Sequence, residues 1–231
     1  MIIEKYGNIF TTECVTIVNT VNCVGVMGAG IAYEFRLREP DMYKKYKNFC
    51  TEKKINIGTL WIYKAENMNI LNFPTKNHWK VPTKKEYLYK GLQKFVDTYK
   101  QRNITSIAFP ILGAQNGGLS VEESLEIMTS YLSQCDIEIE IWHFDPTAKD
   151  DVYEDFKSIF NEIDDETIKQ ESKIRIDIVK KTREALRNPT INSISGLLRV
   201  KGIGDATLEK LFTYIKNYKS SNINLFNYEE I

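Results

Sequence analysis

Three short stretches of this chain hold backbone or side chains suited to binding a ligand or reacting with it. The first is Val18–Phe35, where an apolar, β-branched run (Val15, Ile17, Val18, Val21) crosses Gly25, Gly28 and Gly30 and turns helical near Ile31. A buried strand that passes through glycines into a helix presents backbone N–H groups and the positive helix end at one spot, which suits a phosphate. The spacing Gly-x-x-Gly-x-Gly is neither the dinucleotide fingerprint nor the Walker loop, whose lysine after the last glycine is missing. Taken alone, it describes a tight strand-to-helix turn without a ligand as well as it describes a phosphate site. The second stretch is another glycine loop, Gly113-Ala-Gln-Asn-Gly-Gly118. The third, Asn72-Phe-Pro-Thr-Lys-Asn-His-Trp-Lys80, ends a strand and opens a basic region: residues 76–102 hold eight Lys or Arg against two acids.

The flanking pattern says what must hold these stretches. Residues 1–6 read as a short strand, Gly7-Asn8-Ile9 as a turn and Val15–Asn22 as the next strand. Ile31–Arg38 is a helix ended by Pro40, and Asp41 caps a second one from Met42 to about Lys54. Gly58–Lys64 and Asn69–Phe73 are strands joined as a hairpin around Glu66-Asn67. Thr83 caps a long helix with Tyr87, Leu88, Leu92, Phe95, Val96 and Tyr99 on its apolar face. Ser106–Ile111 is a strand, Ser120 and Glu123 form a capping box for a helix over Val121–Ser133, and Ile137–Phe144 is the last strand. Strands alternating with helices predict an α/β fold: a mostly parallel sheet covered on both faces, with ligands beyond the carboxyl ends of the strands. Both glycine loops follow strands and precede helices, so both belong at that rim.

Composition sets the bounds. A chain of 231 residues has room for one sizeable domain, or for one of about 150 residues and a smaller one. Its 42% apolar and 27% charged residues are those of an ordinary soluble protein, and a net charge of zero names no partner class. The four cysteines (Cys14, Cys23, Cys50, Cys135) show no Cys-x-x-Cys spacing and there are two histidines, so no zinc site is expected. Scattered single cysteines fit a reducing cytosol, and neither a signal peptide nor a membrane span is read. A cytoplasmic protein without metal, cofactor or membrane partner is the expectation.

After Asp145-Pro146 the pattern changes. Residues 149–166 form an acidic linker or helix, with seven acids against one lysine from Asp151 to Glu166. From Thr167 to Lys219 the balance reverses to twelve Lys or Arg against five acids, inside a basic helical module assigned to 167–231. Within it, Ser195–Phe212 reads as two short helices joined by Gly202-Ile-Gly204, which resembles a helix-hairpin-helix. In that family the turn and the following helix N-terminus hold a DNA phosphate, so Lys201, Gly202 and Gly204 are the candidate contacts. A helical pair packing on protein is the alternative reading.

Asn19-Thr-Val-Asn22, the first glycine loop, Asn72–Lys80 and the second glycine loop, in this order, resemble a macro domain over residues 1–148. More narrowly they resemble the branch of DNA ADP-ribosyl glycohydrolases that act as antitoxins in DarT–DarG systems, with eukaryotic relatives that use a catalytic lysine. The resemblance implies a three-layer α/β/α domain with a mixed sheet, plus the small all-α C-terminal module. Asn8 and Ile9 stand where macro domains seat adenine, asparagine replacing the usual aspartate, and Asn22 where a side-chain amide meets the distal ribose. Gly25, Val26, Met27, Gly28, Ala29, Gly30 and Ile31, with Gly113, Ala114, Gln115, Asn116, Gly117, Gly118 and Leu119, would clasp the diphosphate, and Thr75 joins the ligand set. Lys76 stands where the catalytic lysine attacks or stabilises the anomeric carbon of the distal ribose. A lysine suits that task only when its amine is partly neutral, through desolvation or a nearby cation.

His78 is open between a general acid for the departing base and a packed or solvent-facing loop histidine. Trp79 is open between a base-stacking ring and a rim aromatic, and Lys80 between a backbone contact and a solvated helix start. The second loop departs from the branch pattern Gly-Cys-Gly-Asn-Gly-Gly-Leu-Asp-Trp: Ala114 and Gln115 replace Cys and Gly. The implied function is removal of ADP-ribose from ADP-ribosylated, single-stranded DNA, with thymidine as the modified base, as antidote to a DNA ADP-ribosyltransferase toxin. A monomer is assumed. The rival reading is a non-catalytic macro domain that binds free ADP-ribose or a related nucleotide signal.

Overall fold

A computed structural model of the chain describes residues 1–148 and 150–226, which fall into two compact units that divide after Pro146. In the first unit six strands, β1 (Ile2–Gly7), β2 (Thr16–Asn22), β3 (Trp61–Lys64), β4 (Asn69–Lys76), β5 (Ser106–Pro110) and β6 (Glu138–Phe144), form one sheet in the order β1-β6-β5-β2-β4-β3. All neighbours are parallel except the hairpin β3–β4, so the sheet is mixed, as the resemblance implies. Four helices cover it: α1 (Gly30–Arg38), α2 (Pro40–Thr51), α3 (Lys85–Thr98) and α4 (Val121–Leu132).

Because side chains alternate along a strand, consecutive apolar residues serve opposite faces. Ile17, Val21 and Ile70 join Ala32, Phe35, Met42 and Tyr46 of α1 and α2 in one core. Val18, Leu71, Phe73, Ile107 and Phe109 join Leu88, Leu92, Phe95, Ile127 and Met128 of α3 and α4 in the other. Each such side chain, fully buried, contributes about 1.5–3 kcal/mol, which is why the two-sided strands are almost wholly apolar. Two of the exceptions pair with each other: Asn19 and Asn72 face each other in the ladder, both fully buried, and Asn19 Nδ2 donates to Asn72 Oδ1 at 2.9 Å. That bond pins β2 against β4, since slipping the register would leave two amides unpaired in an apolar core.

Several local expectations are corrected. Asp41 does not cap α2; Glu39 holds the cap position, its side chain not bonded to the first-turn N–H groups, and Pro40 is the first helical residue. Proline's missing N–H costs nothing there, and its φ is already helical. Thr83 does not cap α3 either: Lys84 stands at the cap, while Thr83 is turned inward with its hydroxyl buried and its N–H donating to the Gly117 carbonyl at 2.8 Å. The strand expected from Gly58 pairs only from Trp61 onward.

A buried carboxylate ties the edge strand to its neighbour. Glu140, 2% exposed, takes Lys5 Nζ at 2.5 Å, Trp142 Nε1 at 2.7 Å and the Thr12 hydroxyl. Burial pushes its carboxyl up, but the bonds from Lys5, Thr12 and Trp142 outweigh burial and hold it below the ordinary value. Asp136 is held down to about 2 by hydrogen bonds from Tyr99 and Lys100. Both folded-state values lie below the unfolded ones, so the stabilisation is complete above the ordinary carboxylate range and disappears as the pH falls through the folded values. Thermal unfolding followed from pH 7 downward is expected to show a flat Tm to about pH 5 and a steady fall toward pH 2. In Glu140→Gln the fall should be shallower.

The second unit is helical: α5 (Asp151–Glu162), α6 (Asp165–Ser172), α7 (Ile176–Leu186), a 3₁₀ turn at Ser195–Arg199 and α8 (Asp205–Phe226). The acidic segment is thus helix rather than linker, with Asp150 and Asp164 side chains capping α5 and α6. Phe156, Phe160, Ile168, Val179, Leu186, Leu197, Leu208 and Leu211 are buried within it. The first arm of the expected helix-hairpin-helix is the five-residue 3₁₀ turn, not an α-helix. No helix among the described residues is long and apolar enough to cross a membrane.

Candidate functional site

The rim at the carboxyl ends of β2, β4 and β5 carries Asn22, Lys76 and both glycine loops. The β2–β4 register runs evenly to Val21 opposite Pro74, then skips a residue so that Asn22 faces Lys76 instead of Thr75. Pro74 has no N–H to give the ladder and lies beyond the end of β3, whose first residue, Trp61, faces Asn72. The skip comes directly after that proline, and a one-residue shift turns a side chain to the other face. It is what brings Lys76 to the rim beside Asn22.

The first loop is built around Asn22. Its Oδ1 accepts from the N–H groups of Val24 (3.0 Å) and Val26 (3.3 Å), its Nδ2 donates to the Val26 carbonyl at 2.5 Å, and the buried Tyr46 hydroxyl donates to its backbone carbonyl at 2.6 Å. The amide expected to meet the ribose is therefore engaged in folding the loop. Arg36 Nη1 holds the Met27 carbonyl at 3.2 Å, Met27 is fully buried, and Gly25, with φ +82°, packs on Lys47 and Cys50. Gly28, Ala29 and Gly30 are left exposed, and α1 starts at Gly30 without a side-chain cap. Its first N–H groups are thus free of a capping side chain, the arrangement an anion uses. Burial pushes the Cys23 thiol at this loop's start up to about 11.

The second loop closes on itself through Leu119 N–H to the Gly113 carbonyl (3.0 Å) and Gly117 N–H to the Ala114 carbonyl (2.9 Å). A Cβ on Gly30 would stand 3.1 Å from Asn116 Nδ2, so the two loops face each other across a narrow gap. Lys76 Nζ donates to the Asn116 carbonyl, bridging β4 to this loop. Gln115, at the position where the branch pattern has glycine, is held at φ +50°, in the left-handed region. The loop keeps a glycine-like backbone with a side chain that disfavours it, at about 1 kcal/mol. Gln115→Gly is expected to raise Tm by roughly 1–4 °C in a melting experiment; a lower Tm would mean that the Gln115 side chain makes a contact worth more than the strain.

At the far end of the rim, Asn8 Oδ1 accepts from Phe10 N–H at 3.1 Å and so starts the short 3₁₀ turn Ile9–Thr11, while Ile9 is buried. On the adjoining strand end Phe144, level with Gly7, is 65% exposed. This ring was not among the expected site residues, although the strand pattern ending on it at the rim was the available signal. An exposed ring near Asn8, where the resemblance puts adenine, offers a face for a purine. Thr75 is buried in β4 beneath this rim. His78, Trp79 and Lys80 follow directly after Lys76 on the 77–81 loop, whose Asn77 carbonyl takes Cys23 N–H at 3.3 Å.

Lys201, Gly202 and Gly204 lie in the second unit, apart from this rim in the chain. Gly202 has φ +101°, with Lys181 Nζ 3.7 Å from where a Cβ would be, and nothing lies within 4 Å of one on Gly204. Beside the turn is a cavity of about 180 Å³ lined by Lys173, Arg175, Lys210, Ile174, Ile178, Ala206 and Thr207. Not every cation of the unit faces solvent: Arg183 holds Asp165 (2.7 Å) and the Ile163 carbonyl (2.7 Å).

Residues 18–128 match the macro domain family model. The solved macrodomain of Mycobacterium tuberculosis DarG superposes with a TM-score of 0.60 at 37% identity, over 62% of this chain and 97% of that one. This chain belongs to the macro domain family. Thermosipho africanus DarTG, solved in complex with ADP-ribose, matches with a TM-score of 0.58 at 30% identity, over 62% of this chain and 42% of that one. In sequence, the DNA ADP-ribosyl glycohydrolase of M. tuberculosis is 38% identical over 138 residues, 58% of this chain and 39% of the relative. A T. africanus DNA ADP-ribosyl transferase–DNA ADP-ribosyl glycohydrolase fusion protein is 32% identical over 155 residues, 59% of this chain and 40% of the relative. The match thus spans about two fifths of the length of these curated relatives, and within this chain it falls on the macro domain.

Proposed function

We propose that this macro domain removes ADP-ribose from ADP-ribosylated DNA, acting on a single strand and on thymidine, and that it serves as a monomeric antidote to a DNA ADP-ribosyltransferase. The observation that carries this is the position of Lys76, level with Asn22 and in contact with the second glycine loop where that loop meets the first. The names of the relatives supply the substrate class. ADP-ribose laid along the rim would place adenine by Asn8 and Phe144, its diphosphate between the α1 N-terminus and loop 113–119, and its distal ribose at Lys76.

In the reaction, Lys76 Nζ bonds to, or electrostatically supports, the anomeric carbon as the base–ribose bond breaks. The base leaves with the bonding electrons and gains a proton, and water then frees ADP-ribose. Lys76 is only half-buried, so the desolvation a reactive amine needs comes from the ligand itself. Entry of the ribose must displace the Asn116 carbonyl from the amine. Binding energy from the remote adenosine half can be spent at that centre. The basic turn around Gly202 and Gly204 would raise effective concentration by holding the polymer.

The test is release of ADP-ribose from a single-stranded oligonucleotide modified on thymidine. Release by the parent chain supports the assignment. No release, with ADP-ribose bound tightly, would overturn it in favour of a macro domain that captures ADP-ribose without cleaving it. The glutamine at position 115 is the feature that favours this second reading.

A further inference from the structure

We propose that the 77–81 loop is a stacking platform for the base next to the modified one, so that the site is built for ADP-ribose on a nucleic-acid single strand rather than on a lone nucleotide. The proposal rests on the glycohydrolase reading of Lys76. Trp79 is 49% exposed, Val81 44% and, on the first glycine loop, Val24 46%. Large apolar groups left in water beside a reactive centre ask for an occupant. The two loops that carry them are joined by the Cys23–Asn77 hydrogen bond.

The platform is preorganised. Val81 N–H donates to the His78 carbonyl at 3.1 Å, Lys80 N–H to His78 Nδ1 at 3.2 Å, and Asn77 Nδ2 to the Tyr87 hydroxyl at 3.3 Å. The His78 and Trp79 rings stack at 5.7 Å between centroids and 23° between planes, and Lys80 Nζ lies 5.0 Å from the indole centroid. The half-exposed indole keeps a free surface. This stack begins two residues after Lys76, where the strand flanking the departing base must pass. Charge selects the occupant: Lys80 adjoins the indole, within a stretch that holds eight Lys or Arg against two acids from 76 to 102. Rings amid lysines suit bases amid phosphates, and stacking on an aromatic ring tolerates any base. Bases in a duplex are already paired and stacked, so the platform selects the single strand.

The experiment compares the parent, Trp79→Ala and Trp79→Phe on two substrates, an ADP-ribosylated single-stranded oligonucleotide and the corresponding ADP-ribosylated mononucleotide. Trp79→Ala is expected to lose roughly 10- to 100-fold in kcat/KM on the oligonucleotide, with Trp79→Phe recovering most of it. The mononucleotide should be cleaved with little change. Equal losses on both substrates, or no loss on the oligonucleotide, would overturn the proposal, as would a Trp79 dependence found for ADP-ribose carried on protein. If the parent cleaves neither substrate, the hydrolysis reading fails and the platform is read separately, by tryptophan fluorescence with an unmodified oligonucleotide. Quenching that disappears in Trp79→Ala, against the Trp61 and Trp142 background, supports the platform. Absence of quenching in the parent overturns it.

Discussion

Lys76→Ala is expected to bind ADP-ribose about as tightly as the parent and to release it from an ADP-ribosylated oligonucleotide at least about a thousandfold more slowly. Binding is spread over the rim: the uncapped start of α1, loop 113–119, and the Asn8–Phe144 end. On the proposed reading, the amine that meets the reacting carbon is that of Lys76. The difficulty with alanine is that Lys76 also donates to the Asn116 carbonyl and so helps to hold the second loop. Losing that bond costs about 1 kcal/mol and could loosen the clasp. Lys76→Gln separates the two roles, because an amide can still donate to Asn116 but cannot act as an amine. Both variants should be equally slow while Gln keeps the parental affinity, measured by calorimetry with ADP-ribose. Turnover in Lys76→Gln close to that of the parent would show that the lysine only positions the loop, and the assignment of the reacting group would fall.

Gly91→Ala is expected to cost about 2–3 kcal/mol and to lower Tm by roughly 5–10 °C. On an isolated helix this change would stabilise by about 1 kcal/mol, since glycine is the poorer helix former. Here the packing decides. A Cβ on Gly91 would stand 2.2 Å from Phe73 Cζ and 2.4 Å from Phe73 Cε1, and Phe73 is fully buried between β4 and α3. The ring is packed in the core with Leu88, Leu92 and Phe95, so the added methyl is expected to lift α3 or shift β4. Phe73 lies three residues before Lys76 on the same strand, and the strain should therefore reach the reaction centre and lower turnover as well as stability. Phe73→Leu added to Gly91→Ala tests the cause: shortening the ring should return part of the lost Tm, a double-mutant coupling of the sign expected for neighbours in contact. Strictly additive losses would mean that the glycine is needed for another reason.

These two predictions draw on different kinds of information. Lys76 is marked by its own neighbourhood in the chain, Asn-Phe-Pro-Thr-Lys-x-His-Trp, together with the glycine loops before and after it. Gly91 is an unremarkable residue in a helical pattern, and nothing in the sequence says that an aromatic ring lies above it. The same contrast runs through the site. The placement of both glycine loops at one rim follows from the alternation of strands and helices, which is a local periodicity of two against 3.6. The replacement of a branch glycine by Gln115 is visible in the sequence, but that its backbone still adopts a positive φ is not.

What the chain alone determines is therefore what depends on near neighbours: the alternation of Ile17 with Val18 and Ile70 with Leu71 that makes two-faced strands, the Ser120–Glu123 capping box, the glycines, and the motif that makes Lys76 the candidate reactive lysine. Tertiary structure decides what depends on residues distant in sequence. It makes Asn22 a scaffold for its own loop, because Tyr46 and the loop N–H groups claim it. It turns Thr83 inward, because Gly117 of the second loop takes its N–H, and it exposes Phe144 where a strand end meets the rim. Above all it sets Lys76 opposite Asn22, because the β2–β4 register skips one residue after Val21 and Pro74. That skip is a property of two strands paired across some fifty residues of chain, and no pattern within either strand contains it.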